Sequence, residues 1–151
     1  MSNFYEAGKA AMTSNKDDWE TPQSLFDELD KTYHFGVDVA STDANAKCDV
    51  HFTVEDDGLS QEWDGHGVVW CNPPYGRVSP KWIEKMAKEA AGGVRIVALL
   101  PARTDTKAFH DHIYKKQNVR IEFIRGRLKF EVNGIAGQSA PFPSMLVFFN
   151  C

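Results

Sequence analysis

The chain has 151 residues, of which 42% are hydrophobic and 25% charged, and its formal charge is −4 at pH 7. These proportions are typical of one folded globular domain, and they exclude a collagen-like, coiled-coil or largely disordered chain. No apolar run approaches the roughly 18 residues that a membrane helix needs, so we expect no membrane partner and a soluble, cytoplasmic protein.

The charged residues are unevenly distributed along the chain. Residues 17–64 contain 14 acidic residues and two lysines, whereas residues 95–131 contain 9 basic and 4 acidic residues. The second stretch predicts a basic face of the kind that contacts a phosphate backbone, although two differently solvated surfaces would give the same pattern. The three cysteines lack the spacing of a zinc site or a disulfide framework, and we expect no bound metal.

The first predicted element is a polar N-terminal arm, residues 1–16, and residues 17–151 are expected to form a single domain. Thr21 and Pro22 predict the start of a short helix, with Thr21 as its N-cap and Pro22 at the first helical position. Three strands are predicted to follow this helix, at residues 35–40, 51–54 and 67–71.

Two helices alternate with three strands in the second half of the chain. Ser79 is expected to cap the first helix and Thr104 the second, whose last turn carries Lys115 and Lys116. The strands are predicted at residues 94–100, 119–123 and 145–149, with a turn at 133–134 before the last one. Because strands that are apolar at every position alternate with helices, we predict an open, mainly parallel sheet with helices on both faces.

Polar residues follow three of the predicted strands, directly after each strand ends. These segments are residues 38–41, 72–75 and 101–105. Because ligands bind beyond the carboxyl ends of the strands in an open α/β sheet, we predict one pocket that all three segments line.

The second of these segments, Asn-Pro-Pro-Tyr at residues 72–75, predicts a specific chemistry. Its two prolines stiffen the loop, so the side-chain oxygen of Asn72 and the carbonyl oxygen of Pro73 are expected to lie side by side. Two such acceptors would hold both protons of an exocyclic amine or amide and free its lone pair for attack. Tyr75 offers a flat surface for stacking of a base. The alternative is an ordinary turn, with Tyr75 packed in the core.

Several segments of the chain resemble a known family. A strand followed by Asn-Pro-Pro-Tyr is similar to the catalytic motif of S-adenosylmethionine-dependent amino-methyltransferases, and the wider pattern is similar to the phage-type DNA N6-adenine methyltransferases, a Dam-like family. The segments that carry the resemblance are residues 18–22, 37–41, 55–60, 69–76, 100–106, 125–130 and 139–144. The resemblance implies a Rossmann-like open mixed sheet of the class I methyltransferase type, in the cytoplasm of a bacterium or a phage-infected host cell.

The same resemblance implies transfer of a methyl group from S-adenosylmethionine to the N6 amine of adenine in DNA, with Tyr75 stacked on the flipped base. It implies catalytic roles for Asn72, Pro73, Pro74 and Tyr75. It implies cofactor-binding roles for eight further residues, which are Trp19, Thr21, Pro22, Asp38, Val39, Ala40, Ser41 and Asp57.

Basic residues near the C-terminus provide candidate contacts to DNA. Arg125, Arg127 and Lys129 alternate, so on a strand they would share a face, as contacts to a phosphate backbone require. Arg103, next to a strand end, is a further candidate for a phosphate contact. The alternative for the alternating residues is a charged, exposed strand that discourages edge pairing.

One departure from the family pattern keeps other functions open. Ala-Ser-Thr-Asp at residues 40–43 replaces the usual glycine-rich loop, which would also suit a non-catalytic DNA-binding module with a decayed cofactor site. A second alternative keeps the methyl transfer and changes the acceptor to a base in RNA or to the side-chain amide of a protein glutamine. Because the chain leaves little room for a recognition domain, we expect low specificity, or specificity supplied by a homodimer or by the N-terminal arm.

Overall fold

The computed structural model describes residues 19–151, and the predicted arm, residues 1–16, lies outside the described residues. The helices of this part are α1 (Gln23–Tyr33), α2 (Ser79–Ala91) and α3 (Lys107–His112). Its strands are β1 (Val37–Asp38), β2 (Val69–Cys71), β3 (Ile96–Pro101), β4 (Val119–Phe123), β5 (Glu131–Val132), β6 (Ile135–Ala136) and β7 (Ser144–Phe149). Within the same residues, no helix is long and apolar enough to cross a membrane, and no three potential metal ligands cluster.

Five of these strands form one mixed sheet in the order β1-β2-β3-β7-β4. Strands β1, β2 and β3 are parallel, whereas β7 runs antiparallel between β3 and β4. Strands β5 and β6 form a separate hairpin, whose turn at Asn133 and Gly134 has φ angles of 54° and 81°. The α/β class, the mixed sheet and this turn are therefore confirmed.

Helices cover both faces of the sheet. Alternate side chains of its central strands therefore enter two separate cores, one on each face. In β2, Val69 and Cys71 pack on the side of α2, together with Met86, and Trp70 packs on the side of α1, together with Phe26. All residues of β2, β3 and β7 are buried. Burial on both faces is what a strand that is apolar at every position predicts.

The predicted strands at residues 35–40 and 51–54 are shorter in the structure. Strand β1 has two residues, and His51 forms only an isolated bridge to Asp38. The chain bends after β1 because the Asp38 carboxylate accepts hydrogen bonds from the backbone N–H groups of Ala40 and Lys47.

The helix N-termini differ from the predictions. Pro22, not Thr21, occupies the N-cap position of α1, and the Glu131 carboxylate, distant in sequence, accepts a hydrogen bond of 3.0 Å from the first backbone N–H of the helix, at Gln23. Ser79 is the first residue of α2 rather than its cap. Thr106, not Thr104, caps α3 by accepting a backbone hydrogen bond of 3.2 Å. The Thr21 hydroxyl is directed instead to Asn72, which is 51 residues away in sequence.

Helix α3 is also shorter than predicted. It ends at His112, so Lys115 and Lys116 lie beyond its last turn. Lys115 has a φ of 59°, a left-handed conformation that an α-helix does not continue through. The prediction that these lysines lie in the last turn of the helix is therefore wrong.

Candidate active site and cofactor cavity

A cavity of about 450 Å³ opens at the carboxyl ends of β1 and β2. Its wall contains seven of the eight predicted cofactor residues, which are Trp19, Thr21, Asp38, Val39, Ala40, Ser41 and Asp57. It also contains Asn72, Pro73 and Pro74, whereas Pro22 does not line it. The structure thus brings the cofactor candidates and residues of the Asn-Pro-Pro-Tyr loop together at the edge of the sheet that parallel strands predict.

Asp38 lies at the end of β1, enclosed by the loop that follows. Its carboxylate oxygens accept hydrogen bonds from the backbone N–H groups of Ala40 (3.2 Å) and Lys47 (3.0 Å). The residue is 2% exposed, and burial raises the pKa of its carboxyl from 3.8 to about 6 although the two N–H donors counteract the shift. At pH 7 this end of the cavity therefore holds a buried negative charge.

The hydroxyl group of Ser41 is buried and has no hydrogen-bond partner among the described residues. Ser41 also lines the cavity. An unpaired buried polar group costs about 1–3 kcal/mol, so it indicates a polar ligand that completes the hydrogen bonding. The loop that replaces the glycine-rich segment thus still offers a polar contact.

Asp57 and Gly58 form a part of the wall that packs against the end of β1. Asp57 is exposed and has a left-handed φ of 57°. A Cβ atom at Gly58 would lie 2.2 Å from the carbonyl oxygen of Val39 and 3.0 Å from the ring of Trp82. Only glycine allows this close approach, which holds Asp57 at the cavity.

The side chain of Asn72 is fixed by three hydrogen bonds. Its amide nitrogen donates to the backbone carbonyl of Trp19 (2.5 Å) and to the hydroxyl of Thr21 (3.0 Å). Its oxygen accepts a hydrogen bond from the Tyr75 hydroxyl (2.8 Å). Because a backbone carbonyl only accepts, the amide nitrogen must face Trp19, and this fixes the direction of the oxygen. An amide oxygen accepts two hydrogen bonds, so one acceptor position remains for a ligand.

Tyr75 is buried, with 2% of its surface exposed. Its ring packs edge to face against Phe130 and Phe142, with centroid distances of 6.2 and 5.6 Å. Its hydroxyl also lies 3.2 Å from the carbonyl oxygen of Leu99, and burial raises the pKa of this hydroxyl well above its usual value. The ring is packed as the alternative interpretation expects, and its stacking on a base stays a prediction that requires this aromatic cluster to open.

The third predicted segment lines a different cavity. This second cavity, of about 440 Å³, lies between α2 and α3, and its wall contains Pro101, Arg103 and Tyr75 but no residue of 38–41. The prediction of one pocket lined by three segments is therefore wrong. The physical reason is that the Asn-Pro-Pro-Tyr loop and the start of α2 lie between the two spaces.

Arg125, Arg127 and Lys129 are exposed, but they do not lie on a strand. The segment between β4 and β5 is irregular, and Leu128 and Phe130 turn toward the core between the basic side chains. The strand expected here is therefore wrong. The three basic side chains are nevertheless accessible from solvent.

Arg103 is exposed, and its guanidinium lies 5.9 Å from the centre of the Phe142 ring. The Phe142 ring in turn packs edge to face against Trp19 and Tyr75. Arg103 thus lies beside the aromatic cluster that contains Tyr75 of the Asn-Pro-Pro-Tyr loop, and its side chain is accessible from solvent.

Lys47 and Asn133 line the first cavity, although the sequence did not predict either residue. Lys47 is the one cation among the described residues of its wall, which also contains the carboxylates of Glu20, Asp38 and Asp57. The available signal in the sequence was that Lys47 is one of two lysines within the acidic stretch of residues 17–64. Asn133 reaches the cavity from the tip of the β5–β6 hairpin, and no local pattern indicates this position.

The sheet, the cavity and the Asn-Pro-Pro-Tyr loop together define a methyltransferase that acts on an amino group. The chain belongs to the DNA N-6-adenine-methyltransferase (Dam) family, whose family model matches residues 8–151. It is 27% identical to the DNA N-6-adenine-methyltransferase of Haemophilus phage HP1 over 141 residues, which cover 90% of this chain and 80% of the phage protein. It is 32% identical over 65 residues to the putative methyltransferase YfdM of Escherichia coli K12, covering 39% of this chain and 71% of that protein. The family that the motifs predicted is confirmed.

Proposed function

We propose that this chain transfers a methyl group from S-adenosylmethionine to the N6 amine of adenine in DNA. Its family and its phage relative support this reaction. The observation that carries the proposal is the fixed carboxamide of Asn72 at the cavity, with one acceptor position left on its oxygen. We also propose a Rossmann-like fold of the class I type, because the cavity lies beyond the carboxyl ends of parallel strands.

The chemistry of the cavity fits S-adenosylmethionine. The buried carboxylate of Asp38 suits the ammonium of the methionine part, and Lys47 suits its carboxylate. The unpaired Ser41 hydroxyl provides a further contact, and Asp57 suits the amine of the adenosine part. When bound here, the cofactor supplies the methyl group.

Asn72 and Pro73 prepare the target nitrogen in this proposal. The Asn72 oxygen and the Pro73 carbonyl accept the two protons of the adenine amine, which moves the nitrogen toward tetrahedral geometry and frees its lone pair. The same oxygens stabilise the positive charge that develops on the nitrogen, which loses a proton after it is methylated. Pro74 stiffens the loop, so the acceptors need little reorganisation. Positioning and electrostatics account for the catalysis.

Four exposed basic residues are the proposed contacts to DNA, and they are Arg103, Arg125, Arg127 and Lys129. The formal charge of the whole chain is −4, so attraction to phosphate depends on this local excess of positive charge. A homodimer that contributes sequence specificity stays a prediction.

Incubation with methyl-labelled S-adenosylmethionine and DNA, followed by nucleoside analysis, tests the proposal. We expect labelled N6-methyladenine from the wild-type chain, and about 100-fold less from Asn72→Ala because the main acceptor of the amine is lost. Asn118→Ala removes an exposed asparagine away from the cavity and is the matched control.

RNA and a glutamine-containing protein serve as parallel acceptors in the same experiment. If the label entered RNA or the protein and not DNA, the proposal that DNA is the acceptor would be wrong. Calorimetric titration with S-adenosylhomocysteine addresses the cofactor separately, because a module with a decayed cofactor site would bind DNA and release no heat with this ligand.

A further inference from the structure

The segment that precedes α1 contacts the catalytic loop directly. Trp19 contributes a backbone carbonyl and Thr21 a hydroxyl, and both accept hydrogen bonds from the amide nitrogen of Asn72 (2.5 and 3.0 Å). Thr21 is 3% exposed, so its bond to Asn72 is shielded from water. A shielded hydrogen bond is not readily exchanged for one to solvent, and it therefore restricts rotation of the carboxamide.

A 180° flip of the Asn72 carboxamide, which exchanges its oxygen and nitrogen, is unfavourable. It would bring the Asn72 oxygen against the Trp19 carbonyl, with two acceptors and no proton between them. On the other side, the Tyr75 hydroxyl has one proton for two acceptors, the Asn72 oxygen at 2.8 Å and the Leu99 carbonyl at 3.2 Å. Tyr75 alone therefore holds the carboxamide less firmly than residues 19–21 do.

We infer that Thr21 is a positioning residue for methyl transfer, whose hydroxyl keeps the Asn72 oxygen directed at the target amine. This role is additional to the cofactor contact that the family resemblance implies, and it rests on the proposed function of Asn72. The Thr21 hydroxyl accepts from Asn72 and retains its own proton, so it is able to donate to a ligand in the cavity at the same time. The segment that lines the cofactor cavity then also orients the catalytic amide.

Two substitutions of Thr21 test this inference. Thr21→Val removes the hydroxyl and keeps the shape, and we expect the single-turnover rate on DNA at saturating S-adenosylmethionine to fall about 10-fold. Thr21→Ser keeps the hydroxyl and should recover most of the rate. The affinity for S-adenosylhomocysteine, measured by calorimetry, is expected to fall in Thr21→Val because its contact to the cofactor is lost, and the rate at saturating S-adenosylmethionine isolates the positioning effect from this loss. Thr32→Val, on the exposed side of α1, is the matched control.

A wild-type rate for Thr21→Val would overturn the inference, and so would a loss of cofactor affinity with an unchanged rate at saturation. Absence of adenine methylation by the wild-type chain would instead overturn the proposed function. Thr21→Ala takes the place of Thr21→Val if melting curves show that the valine variant does not fold. As a second readout, the side-chain amide protons of Asn72 should exchange with water faster in the variant than in the wild type, and equal exchange would contradict the positioning role.

Discussion

The Tyr75 hydroxyl donates a hydrogen bond of 2.8 Å to the side-chain oxygen of Asn72, while the ring that carries it is buried between aromatic side chains. The buried aromatic core and the side-chain amide of Asn72 are therefore joined through one phenol group. Removal of the whole Tyr75 side chain would open a cavity at a cost of about 3–5 kcal/mol, so Tyr75→Ala cannot separate a role in folding from one in catalysis.

Tyr75→Phe separates these roles, because it keeps the ring and removes the hydrogen bond. We expect methyl transfer to slow by about tenfold, which corresponds to about 1.4 kcal/mol. The melting temperature should fall by only about 2–4 °C. Single-turnover rates and thermal unfolding measure the two effects, and an unchanged rate would show that Asn72 does not need this bond.

The Asp38 carboxyl makes the stability of the free chain depend on pH. Its pKa of about 6 in the folded state exceeds the ordinary 3.8, so the folded state binds the proton more tightly than the unfolded state. Stability therefore falls as the pH rises from about 4 to 6, by on the order of 3 kcal/mol, and this cost remains above pH 6.

Asp38→Asn removes this titration. The free energy of unfolding of the variant, relative to the wild type, should therefore rise as the pH increases from about 4 to 7. Urea unfolding at several pH values measures the difference, and the exposed Glu55→Gln provides the control. A difference that stays constant with pH would mean that Asp38 titrates at its ordinary value.

Lys47 is predicted to bind the carboxylate end of the cofactor. Lys47→Met should weaken binding of S-adenosylhomocysteine about tenfold, because a charge-assisted hydrogen bond is lost. Binding of 5′-methylthioadenosine, which lacks the amino-acid part, should be unaffected. Calorimetry with both ligands measures this, with the exposed Lys31→Met as the matched control. If the substitution weakened the binding of both ligands equally, Lys47 would not be the contact of the amino-acid part.

Arg125 and Arg127 are predicted to contact phosphate groups of DNA. Each contact contributes about 0.9 to the slope of log K against log salt, so the double variant Arg125→Ala/Arg127→Ala should lower this slope by about 1.8. Fluorescence anisotropy with a labelled duplex at several salt concentrations measures it. Lys88→Ala, on an exposed face of α2, should keep the wild-type slope. An unchanged slope in the double variant would assign both arginines to the solvated surface.

The sequence predicted the elements whose pattern is local. Strands β3 and β7 are apolar at nearly every position and buried at all of them, so their place at the centre of the sheet follows from composition alone. The N-cap of α1 was not predictable in this way. The Thr21 hydroxyl has a partner at Asn72, and no pattern near Thr21 indicates a hydrogen bond to so distant a residue.

The candidate site was predictable to the extent that it lies at strand ends. The segments after β1 and β2 share a cavity because their strands are parallel neighbours. The segment after β3 lines the other cavity, because the chain that leads into α2 lies between the two cavities. No local pattern in the sequence indicates that path. Lys47 and Asn133 reach the cavity from a loop and a hairpin, whose paths are set by tertiary contacts rather than by periodicity.

The contact between Gly58 and the Val39 carbonyl has a consequence for variation of this protein. A methyl group at residue 58 has no space, so even alanine would force the loop or the end of β1 to shift. The position of this wall of the cavity thus depends on the absence of a single carbon atom at residue 58.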